Sequence, residues 1–320
     1  MKWDTYFLRF DPSSPSNDYV ATYDHSTKAF TKLTISGFTD PRGLRLHGMD
    51  VVPSASSPNE LWVYLVNHRP HTGDKAGKDA EFGADEAIEV FKTTVGSTVL
   101  THVHTFEDPT ASVIITPNDI AGSDDGQSLY FTNDHGLRTG KWHRMARAWF
   151  STKVTSVGYC NVKTGCKIAV AGLPGTNGLV KTQDGTIWVA STSDGYIRGF
   201  SQQADNSLAL VEKVYVGRLM DNLTVDTNGN IYAAVVVGSP LEADTFFADP
   251  IHNRMRSAAY NISLNTGRDA YFGEKWKVEK IFEDDGQLMS GVTTAFYDPK
   301  AKLMYYSGAF APWSLVCPVV

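Results

Sequence analysis

Hydrophobic and polar positions alternate in short runs rich in β-branched and aromatic residues, the pattern of strands rather than helices. The clearest runs lie at 61–66 (LWVYLV), 129–132 (LYFT), 187–190 (IWVA), 231–235 (IYAAV) and 303–306 (LMYY). Each follows a turn pair: Pro58-Asn59, Asp125-Gly126, Asp184-Gly185, Asn228-Gly229 and Asp298-Pro299. Asn, Asp, Gly and Pro suit the backbone angles of tight turns. The run starts are 68, 58, 44 and 72 residues apart. Each run is also preceded, 9 to 14 residues earlier, by a polar leader running into apolar residues: His47-Gly48-Met49, Asn118-Asp119-Ile120, Asn177-Gly178-Leu179, Asn222-Leu223-Thr224 and Ser290-Gly291-Val292.

Imperfect repeats of four-strand size joined by variable loops predict an all-β fold, a β-propeller forming one domain over residues 1–320. A propeller brings the first strand of every blade to a common axis, so the leaders would form a ring of polar side chains there. Asn118, Asn177 and Asn222 would offer amide carbonyls, and Asp119 and Asp221 carboxylates. Such an oxygen-rich set suits Ca²⁺ and not zinc. The competing explanation is that Asn-Asp pairs before strands are ordinary turn residues.

Composition narrows the field. The chain has 320 residues, 42% of them apolar, and a net charge of −6. No apolar run approaches the roughly 20 residues of a membrane-spanning helix. Mild acidity without a basic block leaves no electrostatic case for nucleic-acid binding. Three cysteines are too few for a disulfide scaffold or a four-cysteine zinc site. Cys160 and Cys166 flank a turn and read either as a local disulfide or as two reduced core thiols. Asn261-Ile262-Ser263 is a glycosylation tripeptide of a kind that also arises by chance. Asp4 and Arg9 interrupt the apolar stretch a secretory signal would need. Nucleophile elbows, dinucleotide turns, Walker loops and His-Glu-x-x-His are absent from the sequence.

Six short motifs occur in an order that resembles the serum paraoxonase/arylesterase family: His47-Gly48-Met49-Asp50, Val66-Asn67-His68, Pro117-Asn118-Asp119-Ile120, Thr132-Asn133-Asp134-His135, Asn177-Gly178 and Asp221-Asn222-Leu223-Thr224. Ser290-Gly291-Val292 and Cys317 extend the resemblance toward the C-terminus. It implies a six-bladed propeller with two axial Ca²⁺ ions that hydrolyses lactones, aryl esters and some organophosphates. Position by position, Asn118, Asn177, Asp221 and Asn222 look like ligands of a catalytic calcium. Asp119 and the backbone carbonyl of Met49 look like ligands of a structural one. His47 and His68 take the places of the family's histidine pair. A histidine near its ordinary pKa of ~6.5 can accept a proton from attacking water, although His47 also reads as a satisfied core histidine.

The resemblance fails at the front. The family opens with a Cys-Glu-Asp run supplying a carboxylate to each calcium, and residues 1–46 contain no cysteine and no Glu-Asp pair. The expectation is a sequence without its native N-terminal segment and a closing blade incomplete there. The resemblance also implies a secreted or secretory-pathway protein. The stretch from Lys141 to Phe150 reads as a short amphipathic helix over the tunnel mouth, packed on the surface or resting on lipid. The Gly-rich stretch 68–86 reads as a long mobile loop beside His68. His102 and His104 read as a solvent-facing pair on a strand. Two other functions stay open: a non-catalytic binding scaffold, and a related propeller of strictosidine-synthase-like or gluconolactonase-like type.

Overall fold

The computed structural model describes residues 3–4, 9–10, 18–137 and 153–319. The described chain is almost entirely strand and divides into two compact units, Met1–Gly172 and Leu173–Val320. The first holds two small hairpins, β1 (Trp3–Asp4) with β2 (Arg9–Phe10) and β3 (Ala21–Asp24) with β4 (Ala29–Lys32). Next comes a five-stranded sheet in the order β5-β9-β8-β7-β6, built from β5 (Thr34–Ser36), β6 (Leu46–Pro53), β7 (Glu60–Arg69), β8 (Asp85–Thr94) and β9 (Val99–Glu107). A four-stranded meander follows: β10 (Pro117–Gly122), β11 (Ser128–Asn133), β12 (Thr155–Asn161) and β13 (Gly165–Leu173).

The second unit repeats the plan. One meander runs through β14 (Thr176–Lys181), β15 (Ile187–Ser191), β16 (Tyr196–Gln202) and β17 (Leu208–Tyr215). Another runs through β18 (Met220–Val225), β19 (Ile231–Val236), β20 (Ser257–Leu264) and β21 (Trp276–Asp284). A three-stranded sheet closes the chain: β22 (Thr294–Asp298), β23 (Leu303–Ser307) and β24 (Leu315–Pro318). Consecutive antiparallel meanders of this size are propeller blades, and the fold is of that all-β class. The described residues form five such sheets, where the resemblance implied six blades.

The five apolar runs read from the sequence are the second strands of the five sheets, and the leaders introduce the first strands. Period-two alternation explains why β7 is buried on both sides. Tyr64 and Val66 pack with Ile120, Leu129 and Phe131 of the next sheet, while Val63 and Leu65 pack with Leu33, Leu44 and Leu100. The second unit stacks its sheets the same way, through Trp188, Ile197, Met220, Leu223 and Ile231 and then through Tyr232, Ala259, Ala295 and Tyr306.

Helix is scarce. A 3-10 turn (Gly73–Lys75) and the short α1 (Asp79–Phe82) occupy the 68–86 stretch, which is therefore partly ordered into helix and not a plain loop. The longer α2 (Pro240–Ala248) joins β19 to β20. Its start is fixed by a capping box, in which Ser239 Oγ accepts from Glu242 N and Glu242 Oε2 accepts from Ser239 N, with proline at the first turn. The expected 141–150 helix and its lipid contact lie outside the described residues. Among those residues no helix is long and apolar enough to cross a membrane.

Cys160 and Cys166 form a disulfide across the β12–β13 hairpin, which resolves the alternative left open by spacing. Asn261 of the glycosylation tripeptide lies inside β20, opposite Tyr232 of β19 and Glu279 of β21. His102 does not face solvent. Its ring packs against Phe38 and Phe91, and its Nε2 lies 3.1 Å from Glu89 Oε2. That buried carboxylate draws the ring inward.

Candidate active site

Four of the five leaders occupy one structural position. In β6 the register passes from Leu46 opposite Asn67 to Met49 opposite Leu65, so three steps on β6 span two on β7. The same shift separates Pro117 from Ile120 in β10, Thr176 from Leu179 in β14 and Met220 from Leu223 in β18. His47-Gly48, Asn118-Asp119, Asn177-Gly178 and Asp221-Asn222 therefore each sit in a β-bulge of a first strand. A bulge breaks the ladder locally and re-aims side chains, and bulges recur beside active sites. The fifth leader differs: Ser290-Gly291-Val292 precedes β22, which pairs with β23 without a shift.

Within each unit the bulges come in touching pairs. A Cβ placed on Gly48 would lie 1.8 Å from the carbonyl oxygen of Asn118, and one on Gly178 would lie 2.4 Å from Leu223 N and 2.6 Å from the Asp221 carbonyl oxygen. Glycine is required at these two positions because neighbouring backbone fills the space of a side chain. In the second unit Asn222 N donates to the Thr293 carbonyl (3.1 Å) and Asn222 Nδ2 to Thr294 Oγ1 (3.0 Å). Both bonds anchor that bulge to the last sheet.

Residues opposite the bulges hold the incoming chain. Asn67 Oδ1 accepts from Arg45 N at 2.8 Å. At the matching place Asn133 Oδ1 accepts from Ile115 N and Thr116 N, and Asn133 Nδ2 donates to the Val113 carbonyl. Ser191 Oγ donates to the Pro174 carbonyl. Asn67 and Asn133 are fully buried and satisfy backbone groups of the segment that leads into each bulged strand.

The first unit gathers most of the candidate chemistry. His47 Nδ1 lies 3.1 Å from His68 Nε2, and His68 Nδ1 lies 2.6 Å from Glu86 Oε2. His68 and Glu86 are direct partners across β7 and β8 and are both 3% exposed, while His47 comes from the adjoining bulge of β6. The histidine pair anticipated from the sequence is thus in contact. Its pKa is not ordinary: burial, reinforced by His68, pushes His47 down to about 3, against an upward pull from Asp134. His47 is therefore neutral throughout the neutral range, and the expectation of a value near 6.5 is corrected.

Asn118 and Asp119 are buried in the β10 bulge. Asn118 Nδ2 donates to Asp134 Oδ2 at 3.2 Å, which orients the amide, since a carboxylate can only accept. The opposite atom, Asn118 Oδ1, is buried with no hydrogen-bond donor among the described residues. A buried carbonyl oxygen without a donor costs about 1–3 kcal/mol, and a hard cation would satisfy it. Asp119 Oδ1 accepts from Ile120 N at 3.0 Å. Met49 stands at the end of the β6 bulge, where the ladder resumes. Among the described residues no three His, Cys, Asp or Glu side chains come together as a metal-binding group. A cation here would rely on amide and backbone oxygens as well as carboxylates.

Glu86 and Asp134 were not singled out by the sequence reading. Asp134 sits inside a quoted motif, so its place was visible but its partner was not. Glu86 is 18 residues from His68 with the 3-10 turn and α1 between, and only the β7–β8 register brings the two together.

Bulged first strands carrying His, Asn and Asp recur in both units of this all-β propeller. The arylesterase family model matches residues 7–317, and the chain belongs to that family. It is 24% identical to mouse serum paraoxonase/lactonase 3 over 293 residues, 89% of this chain and 73% of that protein. The human protein of the same name is 22% identical over 293 residues, with the same coverage. The solved structure of a luciferin-regenerating enzyme is similar at a TM-score of 0.49 and 16% identity, covering 90% of this chain and 76% of that one.

Proposed function

We propose that this chain is a calcium-dependent hydrolase of carboxylic esters, acting on lactones and aryl esters. The observation that supports this most strongly is the recurrence of one bulge in four sheets, each holding residues of the kind the family resemblance assigns to its site. Asn118, Asn177, Asp221 and Asn222 would hold a catalytic calcium. Asp119 and the Met49 backbone carbonyl would hold a structural one. These roles come from the resemblance, and the donor-free Asn118 Oδ1 supports them independently.

When bound, calcium supplies a Lewis acid that polarises a substrate carbonyl. The chain's own residues handle the proton. His47 accepts it at Nε2 from the water whose oxygen adds to the acyl carbon, while its Nδ1 stays against His68. The low pKa keeps the ring unprotonated at neutral pH and makes it a weak base that gives the proton up readily. Asp134, which pulls the His47 pKa upward, offsets part of the charge that forms. Placement in the secretory pathway is proposed from the disulfide and from curated relatives named for serum.

The test is hydrolysis of phenyl acetate and a δ-lactone with Ca²⁺ and with excess EDTA. The expected result is turnover that chelation abolishes and added Ca²⁺ restores. Turnover that survives chelation excludes the calcium mechanism, and none in either condition favours the binding scaffold.

A further inference from the structure

The reacting side of His47 depends on what stands behind it. Three adjacent strands, β6, β7 and β8, place His47, His68 and Glu86 in a row with contacts of 3.1 and 2.6 Å. A carboxylate has no proton to donate, so Glu86 Oε2 must receive the Nδ1 hydrogen of His68. With one hydrogen on the ring, held at Nδ1, His68 Nε2 is a lone pair and accepts from His47 Nδ1–H. His47 Nε2 is left as a lone pair. In that arrangement one buried carboxylate sets the tautomer of both rings.

The end of the ladder is held firmly enough to enforce this order. The rung next to His68 and Glu86 pairs Arg69 with Asp85. Arg69 is 3% exposed, its Nη1 bonding Glu107 Oε1 at 2.5 Å and its Nη2 bonding Asp85 Oδ2 at 3.2 Å. Asp85 Oδ2 also receives Arg42 Nη1 at 2.5 Å. The strand pair that presents His68 to Glu86 is therefore cross-linked immediately beyond them. The next inward polar residue of β8, Glu89, has its own partners in Asn67, Thr105 and His102 and does not compete for His68.

We propose that Glu86 is a positioning residue for ester hydrolysis, fixing His68 as the Nδ1–H tautomer and His47 as the Nδ1–H tautomer with Nε2 open toward the substrate water. This rests on the hydrolase reading above. In the step, the water O–H bond breaks, its proton joins His47 Nε2, and the water oxygen bonds to the acyl carbon. His47 Nδ1–H then donates to His68 Nε2, and the ordered chain ends on the Glu86 carboxylate. Residues that orient a reacting group through a second one are commonly worth about 10–100-fold.

Two measurements test the proposal. Long-range ¹⁵N–¹H correlation spectra of the histidine-labelled full chain at neutral pH report which nitrogen of each ring carries hydrogen, with His47→Asn and His68→Asn variants giving the assignments. The expected spectrum has His68 and His47 protonated at Nδ1 and bare at Nε2. Glu86→Gln is expected to introduce the other tautomer of His68 and to lower kcat for phenyl acetate about 10–100-fold with KM little changed. Wild-type His68 protonated at Nε2 overturns the proposal whatever the activity. A Glu86→Gln enzyme with unchanged kcat overturns the positioning role. An inactive wild-type chain whose His68 carries hydrogen at Nδ1 would instead remove the hydrolase reading and leave the order of the three residues standing.

Discussion

Gly48→Ala is expected to lower the melting temperature by roughly 10 °C or more, or to prevent folding. The added methyl would sit 1.8 Å from the Asn118 carbonyl oxygen and 2.8 Å from Asp119 Cα. Those atoms are backbone in the adjoining bulge, so no side chain can rotate away. One bulge would have to separate from the other, which places this substitution among the exceptional cases costing above about 4 kcal/mol. For a protein of this size that corresponds to a shift of order 10 °C. Gly178→Ala meets backbone at 2.4 Å and should behave alike. The internal control is Gly185→Ala, on a turn with nothing within 4 Å of the new Cβ. Only its φ of +85° resists alanine, at about 1–2 kcal/mol. Thermal melts of the three variants check the ranking, and Gly48→Ala melting near the control would show that the bulges do not touch.

Asn177→Ala and Asp119→Ala are expected to separate activity from stability. With Ca²⁺ present, Asn177→Ala should reduce ester hydrolysis by at least about a hundredfold, the scale of losing one group that supports transition-state charge. It should lower the melting temperature less than Asp119→Ala does. Asp119 is buried and its Oδ1 holds Ile120 N, so its removal leaves a backbone donor unpaired and takes a carboxylate from the proposed structural site. In EDTA the difference between the two variants should shrink. A buried carboxylate lacking a cation is a liability as well as an acceptor, and its removal then costs less. Equal thermal losses in the presence of calcium would contradict the division of labour.

Much of this was legible because the relevant signals are local. Asp-Gly and Asn-Gly turns followed by runs such as Ile187-Trp188-Val189 can form little else than hairpins, and the leaders marked the first strands correctly. The Cys160–Cys166 bridge was half-legible, since spacing permits a disulfide without compelling one. What stayed hidden was non-local. Nothing in Leu46-His47-Gly48-Met49 announces a bulge, because the extra residue is defined only against Asn67 and Leu65 of the partner strand. The fall of the His47 pKa likewise comes from enclosure and from His68, neither of which spacing reveals. Glu86 was missed for the same reason. Asn67 and Asn133 were noticed as parts of motifs, yet their work as clamps on the incoming backbone required the hydrogen bonds themselves. The glycines of the leaders could have been weighed more heavily, since glycine inside a strand pattern points to a bulge or to close backbone approach.

Calcium binding by the bulge residues turns on Asn118 Oδ1, a buried oxygen with no donor among the described residues. Crystals of the full chain grown in saturating Ca²⁺ test it directly. The expected density is an ion within about 2.3–2.6 Å of Asn118 Oδ1, with further oxygen ligands around it. An Asn118 Oδ1 bonded to a protein donor, with no ion beside it at saturating calcium, would rule out a calcium site at this bulge.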